Sequence, residues 1–152
     1  MRGYWADPVR SAGITAAGWT HTGNLAVRDE NGYCNVRGRV RDVIVRGGEN
    51  IHPREVEEFL CRHPHVLDVA VIGGADYKYG EEVCAVIRLR EGASVESQEI
   101  IDFCRGQIAH YKVPRYVRFV SEFPMTVTGK VRKYRIRRQI ETELGLLRER
   151  AA

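Results

Sequence analysis

Apolar positions from residue 43 onward follow two different spacings, one helical and one strand-like. Intervals of three and four residues are typical of helices that bury one side, and they occur in residues 53–63, 95–111 and 133–147. Short runs rich in β-branched residues are typical of strands, and they occur in residues 43–46, 66–73, 83–89 and 115–121. The resulting order, β-α-β-β-α-β-α, predicts a compact α/β (α+β) domain in which helices cover both faces of a small sheet.

The first 40 residues lack a comparable pattern, apart from one hairpin signal. Residues 25–28 and 33–36 flank the segment Asp29–Gly32, which ends in Asn-Gly, a dipeptide favoured in hairpin turns. A two-stranded hairpin alone is only marginally stable in water. We therefore expect a boundary between residues 1–40 and 41–152, and another surface on which the hairpin lies.

Composition excludes several classes of protein. The 152 residues are 43% hydrophobic and 29% charged, with a net charge of +4, which is ordinary for a globular domain and mildly favours anionic partners. The four cysteines lie more than ten residues apart with no Cys-x-x-Cys pair, so we expect reduced, mostly buried thiols, no metal site and a cytoplasmic protein. No apolar run reaches the roughly 20 residues of a membrane-spanning helix.

Two features could carry chemistry, and each has a plainer explanation. Gly47-Gly48 follows a strand and precedes a helix that begins at Pro53, so the pair would let a ligand approach the backbone closely, or it is a simple turn. Lys130 follows Gly129 in a loop with two threonines, where an exposed, mobile amine could reach a carboxylate or phosphate. From the residues alone, a solvated basic helix start explains Lys130 better.

Nucleic-acid binding through residues 130–138 is a weaker alternative. Basic clusters do bind phosphate backbones, but no aromatic stacking platform accompanies this one. Glutamates at 141, 143 and 149 also dilute its charge. We expect no nucleic-acid partner.

Five segments, in order, resemble one known family. They are GWTHTGN (18–24), GRVRDVIVRGGENIHPREVEE (38–58), YGEEVCAVI (79–87), HYKVPRYVRFV (110–120) and PMTVTGKVRK (124–133). Together they are similar to the C-terminal part of AMP-forming acyl-CoA synthetases, in the fatty-acyl and aryl-CoA ligase branch of the acyl-adenylate-forming superfamily. The resemblance covers nearly the whole chain.

The resemblance implies a two-step reaction and assigns residues to its first step. The family makes an acyl-adenylate from a carboxylic acid and ATP with Mg²⁺, and then transfers the acyl group to coenzyme A (CoA). Lys130 matches the catalytic lysine that bridges the substrate carboxylate and the nucleotide phosphate. Arg39 matches an arginine near the ribose hydroxyls, and Asn24 stands where the family has an aspartate that binds both hydroxyls. Asparagine lacks the carboxylate's charge, so we expect weaker nucleotide binding.

Other positions match the second step, for which the C-terminal domain swings to a new orientation. Arg41 matches the hinge position. Gly47 and Gly48 match the turn that lines the pantetheine tunnel. CoA contacts in the family also match three further residues, Arg46, Tyr111 and Lys112.

The large N-terminal domain of the family, with its phosphate loop and acyl pocket, has no counterpart in the sequence. Residues 1–40 resemble the tail end of that domain plus a linker, which accounts for the unpartnered hairpin. We therefore expect a fragment that binds no ATP, AMP, CoA or Mg²⁺ tightly and is inactive alone. The alternative is a stand-alone docking or regulatory module for a separately encoded N-terminal half, with CoA and acyl-adenylate as the small-molecule partners.

Overall fold

A computed structural model of the chain describes residues 3–16 and 19–145. The chain divides into two compact units, Met1–Arg41 and Asp42–Ala152. Their boundary lies one residue after the expected one.

The first unit contains one short helix and two small strand pairs. Helix α1 spans Pro8–Ile14, and strands β1 (Thr15–Ala16) and β2 (Trp19–Thr20) pair antiparallel. Strands β3 (Asn24–Arg28) and β4 (Cys34–Arg39) form the predicted hairpin. Its turn contains Gly32 at a φ of 88°, a backbone conformation that glycine adopts without strain.

The second unit follows the predicted order of elements, with one added strand. Its strands are β5 (Ile44–Arg46), β6 (Glu49–Ile51), β7 (Val66–Asp76), β8 (Gly80–Leu89) and β9 (Tyr116–Phe119). Its helices are α2 (Pro53–Leu60), α3 (Ser97–Cys104) and α4 (Lys133–Glu143). All five strands belong to one sheet, in which β8 pairs with β5, β7 and β9 and β6 extends the sheet beyond β5.

Two separate apolar clusters lie on opposite faces of this sheet, because alternate residues of a strand point to opposite sides. Val83, Ala85 and Ile87 of β8 pack with residues of α2 and α3. The intervening Cys84 and Val86 pack with Ile136 and Ile140 of α4, and with Phe123. The prediction of a small sheet with helices on both faces is confirmed.

Three boundaries differ from the sequence-based expectation. Strands β7 and β8 extend beyond the runs 66–73 and 83–89 that were expected to form strands, and only residues 77–79 connect them. The helix expected over 95–111 ends at Cys104, because Gly106 has a φ of 72°, which is incompatible with a continuing helix. The last helix begins at Lys133 as expected. Its expected end, residue 147, lies outside the described residues.

The four cysteines are unpaired, as expected, but only half of them are buried. Cys84 and Cys104 lie in the two apolar clusters, while Cys34 and Cys61 are exposed. Across residues 3–16 and 19–145, no helix has the length and apolar character needed to cross a membrane.

Candidate functional site

Lys130 lies in a loop whose backbone is held by hydrogen bonds within the loop itself. The sequence suggested only an exposed, mobile lysine. The Thr126 N–H donates to the Lys130 carbonyl at 2.8 Å, and the Lys130 N–H donates to Thr126 Oγ1 at 2.9 Å. Gly129, at a φ of 76°, donates its N–H to the Thr126 carbonyl at 3.0 Å. The backbone of Lys130 is therefore fixed from both sides by one residue.

The side chain of Lys130 is exposed. None of the ion pairs between described residues involves it, whereas the nearby Lys133 and Arg137 both pair with carboxylates. An exposed ammonium on a fixed backbone can approach an anion on another surface without first giving up a partner. Sequence analysis assigned no role to Thr126. The available signal was a threonine four residues before the lysine.

The glycine pair forms the turn between β5 and β6. Gly47 and Gly48 have φ angles of 57° and 93°, which match the two central residues of a tight hairpin turn that favours glycine. The Gly47 N–H donates to the Tyr79 carbonyl at 2.8 Å, and a Cβ on Gly47 would lie 3.2 Å from the Tyr79 ring. A Cβ on Gly48 would meet nothing within 4 Å. One side of this turn is packed and the other is open.

Arg46, beside the turn, forms a two-pronged ion pair with Glu82. Its Nε and Nη2 donate to the two carboxylate oxygens at 2.7 and 3.0 Å, and hydrogen bonding to the Glu82 carboxylate raises the pKa of Arg46. The Glu82 side chain is only 1% exposed, so this carboxylate needs the arginine to offset its desolvation. Arg115 Nη1 lies 3.6 Å from the same carboxylate. The Arg46 guanidinium is thus paired with a buried carboxylate of the same chain.

Tyr111 and Lys112 lie in a short 3-10 helix, His110–Lys112. Tyr111 packs partly buried against the cluster beneath α2 and α3, and Lys112 Nζ pairs with Glu55 of α2 at 2.5 Å. Glu55 lies in the first turn of α2, which follows β6. The expected CoA contacts therefore belong to different elements of the second unit, the β5–β6 turn and the 3-10 helix that pairs with α2.

The two residues expected to bind the nucleotide belong to the first unit and lie opposite each other. Asn24 and Arg39 are cross-strand partners in the β3–β4 register, and both are exposed. Arg41, the expected hinge, is the last residue of the first unit and lies in a 3-10 helix, Val40–Asp42. In the part of the chain that the structure describes, no three His, Cys, Asp or Glu side chains are placed to hold a metal ion.

Comparison with known proteins identifies one family and several relatives of the chain. The AMP-binding enzyme C-terminal domain family matches residues 55–130. A putative acyl-CoA synthetase, YngI, of Bacillus subtilis is 52% identical over 139 residues, which are 90% of this chain and 25% of that protein. The mitochondrial medium-chain acyl-CoA ligase ACSF2 of Danio rerio is 48% identical over 147 residues, which are 96% of this chain and 24% of that protein. The chain spans about a quarter of the length of these relatives.

Solved structures show the same fold. The ATP-bound MatB of Rhodopseudomonas palustris superposes with a TM-score of 0.88 at 33% identity, over 92% of this chain and 28% of that one. The amide bond synthetase McbA of Marinactinospora thermotolerans gives a TM-score of 0.85 at 36% identity, over 92% of this chain and 28% of that one. The fold, the motifs and the relatives agree, and the chain belongs to the AMP-binding enzyme C-terminal domain family of acyl-CoA ligases and other adenylate-forming enzymes.

Proposed function

We propose that this chain supplies the C-terminal part of an ATP-dependent acyl-CoA synthetase, which converts a carboxylic acid, ATP and CoA into acyl-CoA, AMP and pyrophosphate. The observation that carries the proposal is the presentation of Lys130. Its backbone is clamped by Thr126, while its side chain is exposed and forms no ion pair among the described residues. That is the arrangement expected of a group that acts on a substrate bound elsewhere.

In the adenylation step, Lys130 offsets negative charge as the carboxylate approaches the nucleotide phosphate. The reaction brings two anions together, so a positioned ammonium lowers the barrier by favouring the crowded arrangement. Asn24 and Arg39 contact the ribose. Mg²⁺ accompanies ATP in this reaction, and we assign it no ligands among the described residues, where no fitting cluster occurs.

In the thioester step, the open side of the Gly47-Gly48 turn faces the thin pantetheine arm of CoA. No Cβ occupies that space, so an extended chain can pass close to the backbone. Arg46, Tyr111 and Lys112 contact CoA, and Arg46 also supports the turn through its ion pair with Glu82. Arg41 provides the pivot between the two steps, consistent with its place at the boundary between the two compact units.

The 152 residues alone do not form acyl-adenylate in this proposal, because the phosphate loop and the acyl pocket of the family have no counterpart in them. We also expect no tight binding of ATP, AMP or CoA to the chain by itself. The expected compartment is cytoplasmic, although the vertebrate relatives are named as mitochondrial proteins.

A graft tests this proposal. The matching quarter of the Bacillus subtilis relative is replaced by this chain, and acyl-CoA formation is measured with ATP, Mg²⁺, CoA and a panel of fatty acids. We expect the graft to form acyl-CoA, and both the relative without that quarter and this chain alone to release no pyrophosphate above background. Turnover by the chain alone, or a folded but inactive graft of a relative that is itself active, would contradict the proposal.

A second candidate is a docking module for a separately encoded N-terminal half. The observation in its favour is the set of exposed aromatic side chains in the first unit, where Trp5, Trp19 and Tyr33 are 98%, 80% and 73% exposed. Large exposed apolar patches are typical of protein interfaces. Co-elution of this chain with the shortened relative, lost on substituting Trp5 and Trp19 by serine, would support docking, whereas separate elution of the two would argue against it.

A further inference from the structure

We infer that Glu81 is a positioning residue that fixes the glycine turn relative to helix α4, and thereby holds the CoA-facing side of this turn in place. Glu81 belongs to the YGEEVCAVI segment (79–87), and the proposed function uses Glu82 of this segment but leaves Glu81 without a role. The activity readout below rests on that proposed function, whereas the structural readout does not.

Three successive residues, at the end of β5 and the start of the turn, are bound by Tyr79 and by the first residues of β8. The Tyr79 carbonyl accepts from the Gly47 N–H, the Glu82 carboxylate binds Arg46, and Glu81 Oε2 accepts from the Val45 N–H at 2.8 Å. The last of these is a charge-assisted bond to the backbone, which is stronger than a bond between neutral groups. Strand β5 leads directly into Gly47, so these contacts set the position of the turn.

The second oxygen of Glu81 connects the same carboxylate to α4. Glu81 Oε1 accepts from Arg137 Nη2 at 2.6 Å, and Arg137 also binds Glu141 one helical turn further on at 3.0 Å. Arg137 follows Lys130 by seven residues. One carboxylate therefore joins the strand before the glycine turn to the helix that follows the lysine loop.

Gly73 provides the space that this carboxylate occupies. A Cβ on Gly73 would lie 2.9 Å from Glu81 Cδ, and 3.0 and 3.1 Å from its two oxygens, closer than non-bonded atoms pack. The Glu81 side chain is 18% exposed, so it lies mostly within the protein. Glycine in the middle of β7 costs strand stability, and room for Glu81 explains its presence.

The structural test uses the 152-residue chain and amide NMR. Glu81→Gln leaves at most one carbonyl oxygen for both donors, and we expect hydrogen exchange at the Val45 N–H to accelerate about tenfold, with displaced Gly47 and Gly48 signals. Gly73→Ala, which pushes the carboxylate away, and Arg137→Met, which removes its second anchor, should displace the same two signals. The exposed Glu58→Gln and Arg138→Met serve as matched controls and should leave them in place.

The activity test uses the graft and separates the two half-reactions. We expect Glu81→Gln to raise the KM for CoA in acyl transfer about tenfold, with adenylation from acid and ATP changed less than about twofold. Unchanged Val45 exchange and glycine signals in Glu81→Gln and Gly73→Ala would overturn the inference, whatever the graft does. Equal losses in both half-reactions would also overturn it, since they would show a general structural role. A graft that is inactive before substitution, with the NMR changes present, would refute the proposed function and leave the positioning by Glu81 supported.

Discussion

Asn24 and Arg39 stand directly opposite each other on neighbouring antiparallel strands, at the open end of the hairpin in the first unit. Directly opposed residues in such a pair have Cβ atoms about 4.5–5.5 Å apart, on the same face. Fifteen positions separate them in the sequence, and the hairpin register alone brings them together. The two residues matched to the ribose therefore form one polar pair.

This pairing predicts that Asn24→Asp strengthens nucleotide binding. A carboxylate can accept two charge-assisted hydrogen bonds from ribose hydroxyls, and Arg39 across the strand favours its charged form. We expect the Kd of the graft for ATP to fall about tenfold, as measured by isothermal titration calorimetry. Asn35→Asp places the same charge elsewhere on the exposed hairpin and should change the Kd little. Equal affinities of Asn24→Asp and the parent graft would argue against the ribose assignment.

Glu57 protects the outer edge of β7, which pairs only with β8. Its carboxylate accepts from the Val71 N–H at 2.8 Å and from Lys133 Nζ of α4. Val71 is fully buried, so Glu57→Ala leaves a buried N–H without a partner. We expect the free energy of unfolding in urea to fall by about 1–3 kcal/mol, together with a greater tendency to aggregate through the uncovered edge.

The neighbouring Glu58→Ala is the control for this change. Glu58 is 58% exposed and pairs with Arg54 within α2, and such surface pairs contribute little. Equal losses of stability in the two variants would show that helix content, rather than the edge contact, governs the effect.

Asp76 makes the connection between β7 and β8 sensitive to acid. Its carboxylate accepts from the Tyr79 N–H and the Lys78 N–H, and these bonds hold the pKa of Asp76 below its usual value. A group whose pKa is lower in the folded state contributes stability above its unfolded pKa of about 4, and this contribution is lost as the pH falls through the folded pKa. The difference in unfolding free energy between the parent and Asp76→Asn should therefore be full at neutral pH and disappear in acid.

Denaturant unfolding at a series of pH values measures this difference, with the exposed Glu91→Gln as the control. A difference that grows as the pH falls would contradict the assignment. Each variant is compared with the same parent chain. The pH-dependent contributions of the other carboxylates therefore cancel from each difference in unfolding free energy.

The four thiols should divide into two reactive and two protected groups. Burial raises the pKa of Cys84 to about 12 and that of Cys104 to about 11, and the thiolate is the reactive form. Cys34 and Cys61 are exposed, and partial burial raises the pKa of Cys61. We expect a disulfide reagent at mildly alkaline pH to label two thiols in the folded chain, Cys34 faster than Cys61, and all four in guanidinium. Rapid labelling of a Cys34→Ser, Cys61→Ser double variant in buffer would contradict the placement of the other two.

Local signals predicted most of the fold. The Asn-Gly turn, the apolar spacings and Pro53 gave the hairpin, the order of elements and the start of α2. The pattern failed at β6, where the three-residue strand Glu49–Ile51 is held by its pairing with β5 rather than by its own composition. It also failed at Glu81 and Glu82, which lie in β8 although the expected strand begins at residue 83. Arginines from distant segments bind both carboxylates inside the sheet, and no local pattern reveals such partners.

Motifs in the sequence identified residues of the candidate site, but they did not reveal the contacts that hold those residues in place. Motif matching supplied Lys130 and the glycine pair, and the structure adds the contacts that hold them, through Thr126, Tyr79 and Glu82. Arg46 forms an ion pair with Glu82 that the sequence did not indicate, and its contact with CoA stays a prediction. The position of an arginine in the sequence does not show which carboxylate it will pair with in the folded chain.

The most direct test of the central claim is a comparison of the two half-reactions in the graft carrying Lys130→Ala. Adenylation is measured as pyrophosphate release from acid and ATP, and thioester formation as acyl-CoA release from a supplied acyl-adenylate and CoA. In its proposed role, Lys130 acts only where the carboxylate meets the phosphate. We therefore expect adenylation to fall about 100-fold or more, while transfer from acyl-adenylate stays close to that of the parent graft. Adenylation that survives the substitution, or an equal loss in both half-reactions, would contradict it.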